Sequence, residues 1–168
     1  MPNLLKDLSE FQERFHQPIR KDEALPNKSL VSFRIKFLLE ELDELAKAAN
    51  ANDLVEMTDA LVDIVYVALG MAWQLSLPFP QAWDEVHKAN MRKEAVQRSS
   101  DSKRGYQFDI IKPKDWTPPN LSQFFTPEEL AMKNQPVVKD ERQHDLITYL
   151  NEMKEREAHE QDARPATA

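Results

Sequence analysis

Between Phe37 and Asp63 the chain reads FLLEELDELAKAANANDLVEMTDALVD, two acidic clusters on two helix patterns divided by a short polar break. At about 100° per residue, Glu40, Glu41 and Glu44 fall within one ~100° arc of a helix, and Glu56, Asp59 and Asp63 within one of ~60°. The break, AANAND, is rich in turn and capping residues, so two helices meet there in a tight antiparallel hairpin and the clusters face each other. Carboxylates gathered in that way repel one another unless cations neutralise them. Hard oxygen ligands in that number suit Mg²⁺ or Mn²⁺ rather than zinc.

Acidic residues on a helix are more often a solvated face, and the surrounding sequence speaks against that here. Leu38, Leu39, Leu42, Leu45, Leu54, Val55, Leu61, Val62, Ile64 and Val65 are expected to crowd around the carboxylates, and Asp63 interrupts one of the most apolar runs in the chain. A charge placed there without a partner is costly.

Composition removes several alternatives. Only 2 glycines occur in 168 residues, which argues against glycine-rich phosphate loops and leaves phosphate binding to metals and basic side chains. With no cysteine there are no disulfides, thiolate metal sites or cysteine nucleophiles, a composition compatible with a reducing cytoplasm. The net charge of −7 argues against generic nucleic-acid binding. The start, MPNLLKDLSEF, lacks the features of a signal peptide. Residues 60–79 are apolar enough to be weighed as a membrane span, but Asp59, Asp63 and Gln74 punctuate the stretch and Pro78 and Pro80 end it. A core helix is expected, partly buried by another subunit.

Along the chain, Leu4, Leu8, Phe11 and Phe15 predict a first amphipathic helix over ~3–17, stopped by Pro18. After the PIRKDEALPN loop a second helix spans ~28–49, a third ~53–76, and a fourth ~80–98 beyond the break Leu77-Pro78-Phe79-Pro80. From SSDSKRG to DWTPPN the pattern predicts a coil arm along the bundle, with a short strand pair as the alternative. Thr126-Pro127-Glu128-Glu129 starts a helix, and a charged helix from Lys139 carries the stripe Leu146, Ile147, Leu150 and Met153 before a frayed end. The division expected is a domain over 1–120 and a helical extension over 121–168.

In order, Glu40-Glu41-Leu42-Asp43-Glu44 and Glu56-Met57-Thr58-Asp59 make an EExxE pattern followed by ExxD. Together with FQERFHQP at 11–18, DALVDIVYVALG at 59–70, EVHKANMRKE at 85–94 and KRGYQFDIIKPKDWTPP at 103–119, these motifs are carried by residues ~4–120. That part of the chain resembles the MazG-like and phosphoribosyl-ATP-pyrophosphohydrolase-like all-α nucleoside triphosphate pyrophosphohydrolases, in their compact phage and bacterial form. The gap between the two acidic motifs is short, so the loop-borne substrate contacts of longer relatives are missing. The resemblance implies an all-α bundle of four to five helices around a central antiparallel hairpin, with a C-terminal coil arm and helix.

It also implies an activity: cleavage of a nucleoside triphosphate between its α- and β-phosphates, with two or three Mg²⁺ or Mn²⁺ ions per site. By this likeness Glu41, Glu44, Glu56 and Asp59 are the metal ligands and Glu40 is the general base. Asp63 either supports these ligands, holds an extra metal, or pairs the helices as a buried carboxylate. Asn90 and Lys93 occupy phosphate-contacting positions, and Arg34 binds phosphate or pairs with Glu41. Phe11, Phe15 and His16 border the base pocket, although Phe11 and Phe15 serve equally well as core. His87 reads as structural, and Trp73, Trp83 and Trp116 as core and arm anchors.

The expected substrate is a purine deoxynucleoside triphosphate, dGTP ahead of dATP, in the cytoplasm of a bacterial or phage-infected cell. Broad clearance of non-standard nucleotides is the alternative, and a non-enzymatic helical interaction module is the alternative of another class. A di-iron bundle would need ExxH motifs, and none is present. The expected assembly is a homodimer or homotetramer, without nucleic acid or membrane as partner.

Overall fold

Two long helices organise the molecule. The computed structural model describes residues 3–17, 19 and 28–131, and within them α2 (Lys28–Ala51) and α3 (Leu54–Gln74) pack along one another as an antiparallel hairpin. The turn is only Asn52 and Asp53. Asn52 takes the left-handed conformation (φ 56°), which asparagine tolerates well. Asp53 then caps α3, its side chain accepting from the backbone N–H groups of Val55 at 3.0 Å and Glu56 at 3.2 Å. The break expected from AANAND is thus a real hairpin, drawn tighter because α2 runs on to Ala51.

The first helix, α1 (Leu4–Arg14), is capped by Asn3, whose side chain accepts from the Lys6 N–H, and it packs on α3 through buried Leu8. It ends where His16 turns left-handed (φ 48°). After α3, Ser76 is also left-handed (φ 52°), and α4 (Phe79–Asn90) starts with Pro80 in its first turn, where the missing N–H costs nothing.

The fourth helix is shorter than its pattern predicts. It ends at Asn90, and the next residues form β1 (Glu94–Ala95), paired antiparallel with β2 (Ile110–Ile111). Val96 is buried and its N–H extends the pairing to Asp109 O at 3.2 Å. A strand partner 16 residues downstream, counted from Ala95↔Ile110 with the loop ends included, is invisible to a local helical pattern.

The loop between the strands is tied around Asp109. Its carboxylate accepts from Ser102 Oγ at 2.6 Å, Arg104 Nη1 at 2.7 Å and the Ile110 N–H at 2.8 Å. The Ser102 hydroxyl, the Ile110 N–H and the nearby Arg104 hold that carboxyl below its ordinary range. From there the arm runs back along α4: Trp116 Nε1 donates to Ala89 O at 2.8 Å, and Arg92 reaches Thr117 O at 3.0 Å. The coil arm is therefore present, with the strand pair at its base. Thr126 and Glu129 cap α5 (Pro127–Ala131) reciprocally. The charged helix expected from Lys139, with its stripe Leu146, Ile147, Leu150 and Met153, lies outside the described residues.

The fold is all-α apart from this two-stranded pair, with five helices among the described residues. None of those helices is long and apolar enough to cross a membrane. The ring of leucines and valines expected around the carboxylates is only partly there. Leu54 and Val55 are 74% and 75% exposed, and Leu61, Val62 and Val65 also face outward. They are on the side of α3 that α2 does not cover. With Leu4, Leu8, Tyr66 and Leu69 the last three line a groove of ≈ 460 Å³ between α1 and α3.

Candidate active site

On α2, Arg34, Glu41 and Ala48 recur every seven residues and all are buried; on α3, Ala60, Val67 and Gln74 do the same. Seven residues turn through about 700°, close to two full turns, so each trio is one stripe facing the other helix. Asp63 and Gly70 form a second seven-residue pair on α3 beside it. The seam between the two helices is therefore lined by an unusual mix of small, polar and charged residues.

Glu41 is the centre of the acidic part. It is 6% exposed, and its Oε2 has no hydrogen-bond partner. Burial pushes its carboxyl above the ordinary range, and the charges of Asp63, Glu44, Glu40 and Asp59 push it further. Four of the predicted carboxylates, Glu40 and Glu44 from α2 and Asp59 and Asp63 from α3, thus bear on a fifth, Glu41. Asp63, left open from sequence, contributes the largest of the charge effects on Glu41. Glu56 stands apart, exposed in the first turn of α3 and absent from the groups that bear on Glu41.

Among the described residues, no three acidic or histidine side chains are already drawn into a metal nest. The donor set nonetheless fits a hard divalent cation: all oxygen, strongly negative, with one buried oxygen lacking any partner. Zinc would find no histidine or thiolate among these residues.

The predicted phosphate residues are dispersed. Arg34 forms no ion pair with Glu41; its Nε donates to Gln74 Oε1, and burial lowers its pKa from the ordinary value. Gln74 Nε2 in turn donates to Gln17 Oε1 at 3.3 Å. Asn90 is the last residue of α4 and exposed. Lys93 lies beyond the helix, so the two do not share a helix face. Its ammonium stands 5.9 Å from the Trp116 ring centroid, and Lys112 stands 4.2 Å from the same ring.

Of the predicted base-pocket residues, Phe11 and Phe15 contact each other at 4.7 Å between centroids, and Phe11 meets Tyr66 edge-on at 5.3 Å. Both keep a large exposed area. His16 serves as the left-handed residue that ends α1. Neither Gln12 nor Gln74 was singled out as a site residue from the sequence, and each is 1% exposed. Their signal was present, since both are amides on otherwise apolar helix faces. Lys112 was also missed.

No curated protein matches the chain. Residues 8–90, which run from within α1 to the end of α4, match the sequence profile of phosphoribosyl-ATP pyrophosphohydrolase, and this segment contains the whole acidic seam. By its helical core the chain belongs to this MazG-like, phosphoribosyl-ATP pyrophosphohydrolase family of all-α nucleotide pyrophosphohydrolases.

Proposed function

We propose that the protein hydrolyses a nucleoside triphosphate to its monophosphate and pyrophosphate with the help of Mg²⁺ or Mn²⁺, and that its substrate is a purine deoxynucleotide, dGTP ahead of dATP. Membership of a pyrophosphohydrolase family supports hydrolysis of a nucleotide phosphoanhydride. The observation that carries the metal-dependent reading is Glu41, a buried carboxylate with an unpartnered oxygen and four like charges around it. Removing water from such a group without a compensating cation is unfavourable.

In this reading Glu41, Glu44, Glu56 and Asp59 would hold the metal ions, and Asp63 would add its negative charge beside Glu41 from α3. Bound divalent ions supply neutralisation of the triphosphate, polarisation of the α-phosphoryl group and a lowered pKa for the attacking water. Glu40 is exposed beside the buried Glu41, which leaves its carboxylate free to accept the proton of that water. Lys93, whose ammonium stands near the Trp116 ring, is the side chain assigned to the leaving pyrophosphate in this reading. The exposed apolar side of α3 and the α1–α3 groove support a homodimer or a pair of dimers as the working form.

The test is product identification with purified protein, in Mg²⁺ or Mn²⁺ and again with EDTA. Pyrophosphate and monophosphate released only with metal are expected. Orthophosphate with a nucleoside diphosphate would place cleavage at the other anhydride and refute the reading.

A further inference from the structure

The loop between the two strands holds apolar side chains out in water. Tyr106 and Phe108 stack on each other, with ring centroids 5.0 Å apart and planes inclined by 24°, while remaining 56% and 84% exposed. Ile110, which follows them into β2, is exposed as well. A loose loop would let such rings fold back onto the protein, but this one is fixed. Ser102 Oγ donates to Asp109 and accepts from the backbone N–H groups of Arg104 at 2.9 Å and Tyr106 at 3.3 Å. Gly105 takes the left-handed φ of 79° that the reversal needs. With the Arg104 and Ile110 bonds to the Asp109 carboxylate, the tip is ordered before anything binds, so less conformational freedom is lost on binding.

The same chain carries a surface of opposite character. The α1–α3 groove of ≈ 460 Å³ is walled by Leu4, Leu8, Leu61, Val62 and Val65, with Asp7 among them. Its two helices hold six acidic side chains, against Lys6 and Arg14 as their basic ones. Residues 92–116, which carry the loop, hold seven basic side chains against four acidic, in a chain whose net charge is −7. The loop is thus the basic pole of an acidic molecule, and the groove lies in an acidic part of it. Within one chain the two do not meet: the rings face solvent and the groove stands open.

We propose that the 102–110 loop of one copy seats in the α1–α3 groove of a second copy, with Tyr106, Phe108 and Ile110 entering the apolar groove and Lys103 and Arg104 meeting its acidic walls. Both halves of the contact belong to one chain and complement each other in charge and in apolar character, which singles out a second copy as the occupant. Each chain offers one loop and one groove, so two copies related by a two-fold axis make the contact twice. Two aromatic rings bury about 150–250 Å² each; with the groove surface they cover, and with the contact made twice, the total is about 1,200–2,000 Å², the size of a specific, stable interface. The proposal deepens the homodimer reading given above by naming the two surfaces that meet, and it requires nothing of the chemistry at the seam.

A chain without cysteine makes the contact directly testable. Full chains carrying Phe108→Cys and Val62→Cys are prepared separately, one of them with a size tag, then mixed and treated with a short bismaleimide. A product joining position 108 of one copy to position 62 of the other is expected, in excess of the 62–62 and 108–108 products. Phe108→Asp is expected to raise the dimer dissociation constant about 30-fold or more, measured by light scattering over a dilution series. Because Phe108 is mostly in solvent within one chain, its far-UV circular dichroism should not change, which separates association from folding. An oligomeric wild type that gives no 108–62 product, or that stays equally associated as Phe108→Asp, would overturn the proposal and leave the homodimer standing. A monomeric wild type at micromolar concentration would overturn both.

Discussion

Asp63 bears on Glu41 across the α2–α3 seam, and among neighbouring charges it contributes most to holding the Glu41 carboxyl above its ordinary range. The hairpin is therefore built with a repulsion at its centre.

That repulsion predicts a pH dependence. Folded Glu41 keeps its proton to higher pH than an unfolded glutamate, so its contribution to stability is present below the unfolded value of about 4.3 and is lost as pH rises through the raised folded value. Metal-free stability should fall over that window. The Asp109 carboxyl, held low, acts in the opposite sense and only on the acid side, where its contribution is lost as pH falls below about 3.9. Thermal melts in EDTA should show the decline above the Glu41 window, and Glu41→Gln should flatten it. With Mg²⁺ or Mn²⁺ the slope should reverse, because the ligands bind metal only when ionised. A melting temperature indifferent to both metals would rule out a cation at the seam.

Roles within the cluster should separate by substitution. Glu41→Gln and Asp59→Asn are expected to lose turnover together with the metal-induced rise in melting temperature. Glu40→Gln should lose turnover by about 10²–10⁴-fold while keeping that rise. Glu56→Gln is the informative variant, since Glu56 stands apart from the charges around Glu41. If it retains both metal response and turnover, the metal set is the remaining carboxylates, with Asp63 in its place.

The Asp53 cap can be weighed directly. Asp53→Ala removes the acceptor for two backbone N–H groups and should cost about 1 kcal/mol, or about 2–4 °C in melting temperature. Circular dichroism melts measure this. A loss well under half a degree would mean that the hairpin turn is held by packing alone.

Assembly is testable through the groove. Val62→Asp puts a charge on the exposed apolar side of α3 without touching the seam. Light scattering should find wild type as a dimer or tetramer and the variant as a smaller species. A monomeric wild type at micromolar concentration would remove the oligomer from the reading.

Most of the scaffold was legible because its signals are local. Asn52 and Asp53 announced the hairpin, Pro78 and Pro80 the next break, and Thr126 to Glu129 the start of α5. The fourth helix was overextended because nothing near Lys93 or Val96 reveals that Ile110 and Ile111 will pair with that segment. The facing of the carboxylates could be computed from the helical period, whereas the outward facing of Leu54 and Val55 depends on which side of α3 its neighbours leave bare. Gln12 and Gln74 carried the faintest signal. An amide on an apolar face finds its neighbours only when separate helices meet, as Gln12 of α1 meets Gly70 of α3 and Gln74 of α3 meets Arg34 of α2.

The shortness of the Asn52–Asp53 turn also bears on how the molecule comes into being. All six candidate carboxylates lie between residues 40 and 63, so bringing them together requires no long-range loop closure beyond the hairpin itself. Structures made of such near-neighbour contacts form early and fast. Here the same early step brings like charges together, and each must be discharged or screened before the two helices can zip. A divalent cation would then ease the closing of the hairpin as well as the later chemistry, and the rate at which the nascent chain folds would register the metal before any nucleotide arrives.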